Sequence, residues 1–246
     1  MEKLVKTLKG HSGSIVTLIQ NENGMLVRKI DNVDRNYERL KALLGYVDVP
    51  KIYHYDGNRL DMEYIHGTDM RNYLLNNSVK DLNDFLVNTI TLFSHNSIDK
   101  DYTPVYNDML SWIEDGMFPF TKDELIDKLP KVLPQSVYHG DMTLENIIYS
   151  TGNRFFFIDA VTLRYDSWVF DIAKLRQDLE CKWFLRRDPV MLDVKLMNIQ
   201  DHLLKKFPLA NDDYLLILML LRVYLHCDKD SIEYDFVVKE IKRLWK

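Results

Sequence analysis

The chain has 246 residues, 46% of them hydrophobic, with 32 basic and 37 acidic side chains and a net charge of −5. That is enough apolar material for one large domain or two lobes with a real core. The near-balance of charge argues against a nucleic-acid protein, whose affinity rests on a positive field.

Two cysteines, Cys181 and Cys227, have neither metal-ligand spacing nor a disulfide framework, which fits a reducing compartment. The start "MEKLVKTLKG" has lysines but no apolar run behind them. The most apolar segment, Tyr214 to Leu221, is far shorter than the roughly 20 apolar residues that span a bilayer. It reads as a buried helix. These features predict a cytoplasmic protein with no membrane insertion, and they leave its oligomeric state open.

The first third reads as β-rich. Ser14 to Gln20 and Met25 to Ile30 are strand-like, and Glu22 to Gly24 is turn chemistry, so a hairpin is expected. A helix follows in "DRNYERLKALLGY", with Tyr37, Leu40, Leu43 and Leu44 on one face and Gly45 as its stop. Pro50 then sets an extended entry to two more strands, with the turn Asp56-Gly57-Asn58 between them. The predicted order is β, β, α, β, β.

After "HGTDM" the pattern becomes helical. "DLNDFLVNTITLF" places Leu82, Phe85, Leu86, Thr89, Ile90 and Phe93 at helical spacing. "YNDMLSWIEDGM" and "KDELIDKL" read as helices too. A β island interrupts at 137–158, made of "VYHGD" and a hairpin turning at 150–153. From Trp168 to the end the pattern is helical again. The organisation is a small lobe, residues 1–65, and a larger one, residues 66–246.

The island carries the chemistry. Asp141 and Asn146 stand as D-x-x-x-x-N in "HGDMTLEN", and Asp159 ends the hairpin. An aspartate in a loop before a hairpin can accept a proton from an attacking hydroxyl. The asparagine can reach a metal from the same loop, and the second aspartate can hold that metal from the other side. Mg²⁺ takes oxygen ligands and usually only one or two protein carboxylates beside substrate phosphates. Phosphoryl transfer needs positioning and charge neutralisation more than covalent help. Such a site also needs a glycine-bearing turn over phosphates, a strand lysine and a helix acid. Gly10, Gly13 and Ser14, then Lys29, then Glu38 occur in that order. Arg28 is a rival to Lys29, since a slip of one residue turns a side chain to the other face of a strand. The segment "MEYIHG" offers backbone groups at Glu63 to Ile65 for an adenine edge.

On "HGDMTLEN", its hairpin and "FFFIDA", supported by "MEYIHG" and "FDIAKLRQDL", the chain resembles the aminoglycoside phosphotransferase and choline kinase superfamily. The resemblance runs from about Leu8 to Leu179. It implies an α+β, two-lobed, protein-kinase-like fold, with a small antiparallel β lobe bearing one helix and a mainly helical second lobe. It implies ATP and Mg²⁺ as cofactors and a small-molecule hydroxyl as acceptor. Asp141 would be the base, Asn146 and Asp159 the Mg²⁺ ligands, Lys29 the phosphate lysine and Glu38 its partner. His139 would shape the loop, and Asp171 would cap or brace the following helix.

Some residues depart from related patterns. Gly140 stands where protein kinases carry arginine, and Ala160 and Val161 follow Asp159 with no activation segment beyond, which disfavours a protein substrate. The same two residues break the choline kinase pattern, which places an aromatic there. "HGDMTLENII" with "SWVFDIAKLRQDL" resembles a subset of these kinases linked to bacterial cell-surface polysaccharide genes, and so implies a sugar or polyol acceptor. Tyr165, Asp166 and Trp168 lie where a substrate wall is expected, although a core role for Trp168 fits its size better. Trp112, Glu114 and Asp115 are read on a helix, as an acidic wall or a solvated face. The alternative to an enzyme is a catalytically silent kinase-like module that binds nucleotide or protein.

Overall fold

The computed structural model describes residues 2–8 and 14–246. Five strands form an antiparallel sheet: β1 (Lys3–Leu8), β2 (Ile15–Asn21), β3 (Gly24–Ile30), β4 (Ile52–Tyr55) and β5 (Arg59–Glu63), in the order β1-β2-β3-β5-β4. The hairpin of β2 and β3 and the pair β4 and β5 lie where the turn residues put them. β1 lies ahead of the predicted β, β, α, β, β order. Its residues are almost all exposed, as on a sheet edge, so it carries little apolar alternation to read. The single helix of this lobe, α1 (Asp34–Leu43), buries Asn36, Leu40 and Leu43, while Leu44 stays half exposed just past its end. Leu40 and Leu43 share a core with Leu60 and Met62 of β5.

The second lobe starts with β6 (Gly67–Asp69), α2 (Met70–Asn76) and α3 (Lys80–Ser94). β7 (Ile98–Asp101), α4 (Thr103–Met109), α5 (Lys122–Lys128) and β8 (Val132–Gln135) follow. The island hairpin is β9 (Ile147–Ser150) and β10 (Phe155–Phe157), joined by β6 into a three-stranded sheet. β7 and β8 make a separate pair. Two expectations are corrected here. "VYHGD" is a loop, because the extended segment before it pairs one turn earlier, at 132–135. The helix expected across "YNDMLSWIEDGM" ends at Met109, so Trp112, Glu114 and Asp115 lie in the loop beyond it and the two acids are exposed.

Four long helices complete the lobe: α6 (Trp168–Leu179), α7 (Asp193–Lys206), α8 (Asp213–Tyr224) and α9 (Ile232–Leu244). Leu215 to Leu221 of α8 are buried, as the apolar run requires. Each fully buried leucine contributes about 1.5–3 kcal/mol. Every residue of α6 is buried, including Asp171, Lys174, Arg176, Gln177 and Asp178. A helix apolar on one stripe would hide such side chains only at a cost, so this helix has polar partners inside the lobe. Among the described residues no helix is long and apolar enough to cross a membrane. The chain is thus a two-lobed α+β molecule with an antiparallel sheet in one lobe and mostly helices in the other.

Candidate active site

The loop of residues 139–146 is shaped from beneath. Asp171 of α6 accepts the backbone N–H of His139 on one carboxylate oxygen (2.5 Å) and that of Gly140 on the other (2.8 Å). Gly140 has φ +91°, and a Cβ there would overlap the carbonyl oxygen of Val161. Only glycine suits both conditions. The His139 ring is fully buried; its Nδ1 accepts the N–H of Asp141 (3.2 Å) and its Nε2 donates to the carbonyl of Ile158 (3.1 Å). Burial pushes its pKa down to about 4, so the ring is neutral and structural.

This loop aims Asp141 outward. About a third of its side chain is exposed. The amide Nδ2 of Asn146 donates to the Asp141 carbonyl (2.8 Å) and to its Oδ2 (3.1 Å). The other oxygen, Oδ1, faces Lys174 Nζ at 3.4 Å and Arg222 of α8 at 3.8 Å. Burial alone would raise the Asp141 pKa, but Lys174 and then Arg222 outweigh it and hold the carboxyl below its usual range. The carboxylate is therefore ionised, oriented and open on one side.

Asp159 comes back to this point from the hairpin, with φ +57°. Ile158 donates its N–H to the carbonyl of Asn146 (2.9 Å), which fixes Asp159 beside the asparagine. Lys29 of β3 reaches down to pair with Asp159 Oδ1. Lys29 is 5% exposed. Its neighbour Arg28 faces away, bidentate to Asp61 (2.8 and 2.9 Å), so the choice between the two falls to Lys29. Strand alternation makes the two exclusive.

The structure does not bring Glu38 to Lys29. Glu38 is exposed and makes no ion pair among the described residues. The inward position on α1 belongs to Asn36, whose Nδ2 donates to Ala160 O (2.8 Å) and Asp159 Oδ1 (3.2 Å). Two residues apart on a helix is about 200° of rotation, so both cannot face the site. Ser14 is buried and its hydroxyl donates to Asp31 O (2.8 Å). Gly10 and Gly13 lie outside the described residues. The N–H of Glu63 is taken by Lys51 O (2.8 Å), whereas the backbone of Ile65 makes no hydrogen bond among the described residues.

The donor set fits a hard cation that shares its ligands with phosphates. Asn146 Oδ1 and Asp159 Oδ2 accept no hydrogen bond among the described residues. No group of three or more His, Cys, Asp or Glu side chains among those residues could hold a metal by itself. That is what Mg²⁺ needs when phosphates supply the rest. The expected substrate wall is otherwise employed: Asp166 binds Lys100 (2.6 Å) and Tyr102 (2.9 Å), and Tyr165 and Trp168 are core residues. Asn36, Lys174, Asp178 and Arg222 were not picked out from the sequence. Only "FDIAKLRQDL" carried a signal, in its charged residues at one-turn spacing.

No family model and no curated protein matches the sequence. Solved structures do. A Plasmodium vivax ethanolamine kinase is 13% identical, with 99% of this chain and 81% of that one covered and a TM-score of 0.56. The choline kinase LicA from Streptococcus pneumoniae is 16% identical over 98% of this chain and 92% of its own, TM-score 0.56. A LicA structure in complex with AMP is 16% identical over 99% and 93%, TM-score 0.54. The aminoglycoside phosphotransferase APH(4)-Ia is 10% identical over 99% and 93%, TM-score 0.64. With nearly the whole chain superposed in each case, the protein is built on the fold of the aminoglycoside phosphotransferase and choline kinase structures.

Proposed function

We propose that the protein is an ATP-dependent phosphotransferase acting on a hydroxyl of a small molecule, such as a sugar, polyol or amino alcohol. One observation carries this reading. Lys29, from the strand lobe, meets Asp141, Asn146 and Asp159 of the catalytic loop and hairpin at one open site, with the base ionised and two ligand oxygens unengaged. The neighbouring kinases, one of them holding AMP, support nucleotide use.

Asp141 accepts a hydrogen bond from the acceptor hydroxyl and takes its proton as the new O–P bond forms, while the bond from the γ-phosphorus to the bridging oxygen breaks and ADP leaves. Lys29 leaves Asp159 for the α/β-phosphates. Ile65 N–H with the carbonyl of Glu63 meets the adenine edge. Asn146 and Asp159 would hold Mg²⁺, which when bound would neutralise charge on the phosphates.

Thermal unfolding with ATP, with and without Mg²⁺, tests the reading. A ligand that binds only the folded state raises stability by mass action. Wild type should gain stability from ATP with Mg²⁺, Asp159→Ala should lose most of that gain, and Asp141→Asn should keep it while losing turnover. Full turnover in Asp141→Asn overturns the assignment of the base. Binding without turnover across sugars, polyols and amino alcohols moves the protein to a silent nucleotide-binding module.

A further inference from the structure

Asp171, Lys174 and Asp178 lie at i, i+3 and i+7 on α6, one face of a helix. All three point at the loop that carries Asp141. Asp171 holds its start at His139 and Gly140. Asp178 holds its far end: one oxygen accepts the N–H of Leu144 (2.6 Å) and the other that of Phe184 (3.1 Å). Lys174 stands between them, opposite the side chain of Asp141.

A lysine in this position demands a reason. Its side chain is 8% exposed, and lysine is among the residues least often buried. Its other polar contact is Gln177 Oε1 at 3.2 Å. The charged groups facing it are Asp141, Asp178 and, with repulsion, Arg222. Replacing a buried charge pair with apolar groups of similar size is often neutral or stabilising, so fold stability does not call for the ammonium group. Its place on Asp141 does. Asn146 holds Oδ2, while Lys174 at 3.4 Å and Arg222 at 3.8 Å face Oδ1, so both oxygens of the carboxylate have partners that orient it, and Lys174 is the nearer of the two cations.

We infer that Lys174 is a positioning residue for phosphoryl transfer, acting through Asp141 to fix the direction in which the carboxylate meets the acceptor hydroxyl. This rests on the phosphotransferase reading. Lys174 touches neither nucleotide-binding strand nor metal ligand, so its loss affects turnover and not Mg-ATP affinity. Misplacing a reacting group by about an ångström can cost roughly 100-fold in rate.

The probe is Mg-ATP, with water standing in for the acceptor and ADP release as the readout. Lys174→Met should lower kcat by about 10- to 100-fold. Half-saturation by Mg-ATP should stay within about twofold, while the unfolding temperature should fall, because the substitution leaves a partly buried carboxylate short of one partner. In an Asp141→Asn background the same substitution should cause no further loss, because its route of action is gone. Wild-type kcat in Lys174→Met overturns the proposal, as does a full additional loss in the double variant. If Lys174→Met does not fold, Lys174→Arg is read instead: it keeps the charge and shifts the contact, so kcat should still fall at unchanged Mg-ATP half-saturation, and an unchanged kcat overturns the proposal. A wild type that binds Mg-ATP but releases no ADP with water, sugars, polyols or amino alcohols overturns the phosphotransferase reading itself, and this inference with it. An unaffected Lys174→Met in an enzyme that does release ADP overturns the inference alone.

Discussion

Arg28 and Lys29 are consecutive on one strand and serve opposite faces of the sheet: Arg28 closes a buried pair with Asp61, and Lys29 spans to Asp159, 130 residues away. Their substitutions should separate stability from binding. Arg28→Met leaves Asp61 buried with Arg59 as its remaining partner and should cost about 1–3 kcal/mol with Mg-ATP affinity unchanged. Lys29→Met should abolish most of the Mg-ATP-dependent rise in unfolding temperature. Equal nucleotide stabilisation in both variants contradicts the assignment.

Helix α1 should act on the site through Asn36 and not through Glu38. Asn36→Ala leaves the Ala160 carbonyl without its donor and frees Asp159, so Mg-ATP binding should weaken by about tenfold, the worth of one such hydrogen bond. Glu38→Gln should change neither stability nor binding. Titration of Mg-ATP against each variant, followed by unfolding temperature, decides between the two residues.

Burial pushes the carboxyls of both Asp171 and Asp178 up to about 7. The folded chain keeps these protons at pH values where the unfolded chain, with carboxyls near 3.8, has released them. Their contribution to stability is complete below that value and is lost as pH rises through 7. His139 works the other way: burial depresses it to about 4, so its contribution is complete above the ordinary 6.5 and is lost as pH falls towards 4. Above pH 6.5 the two carboxyls act without opposition from His139. The unfolding temperature should therefore fall from about pH 6.5 to 8, and Asp178→Asn should flatten the fall. A wild-type curve that rises over this range runs against the assignment.

Gly140→Ala forces a side chain into the left-handed region and onto the Val161 carbonyl. The backbone strain alone is on the order of 1–3 kcal/mol. Stability should drop, and because Asp141 is the next residue, turnover should drop by about 100-fold in the protein that still folds. A rate close to wild type would falsify the role given to this loop.

How far the sequence could be read follows from where the chemistry sits. Asp141, Asn146 and Asp159 were legible because a loop and a hairpin bring them together within 19 positions, with little tertiary freedom between them. The turn residues around 151–153 fixed the hairpin for the same reason. Lys29 was legible only as one of two neighbours, because alternation says that Arg28 and Lys29 oppose each other but not which faces inward. Asn36 was hidden by its own polarity, since a helix face is sought in its leucines. Lys174 and Asp178 look like solvated charges until α6 is seen to be buried all round, and Arg222 until α8 is seen to end beside the Asp141 loop. The β7–β8 pair was missed because strands of four residues leave almost no apolar alternation.

The Val161 carbonyl fills the volume that any side chain at position 140 would need. The arginine that protein kinases carry there is thus shut out, and with it the means by which a phosphate added elsewhere could reshape the loop through that residue. The working end of the molecule has a single setting at this point, held by a glycine and by a carboxylate sealed beneath it. On the phosphotransferase reading, control by way of an arginine at this position is closed to the protein.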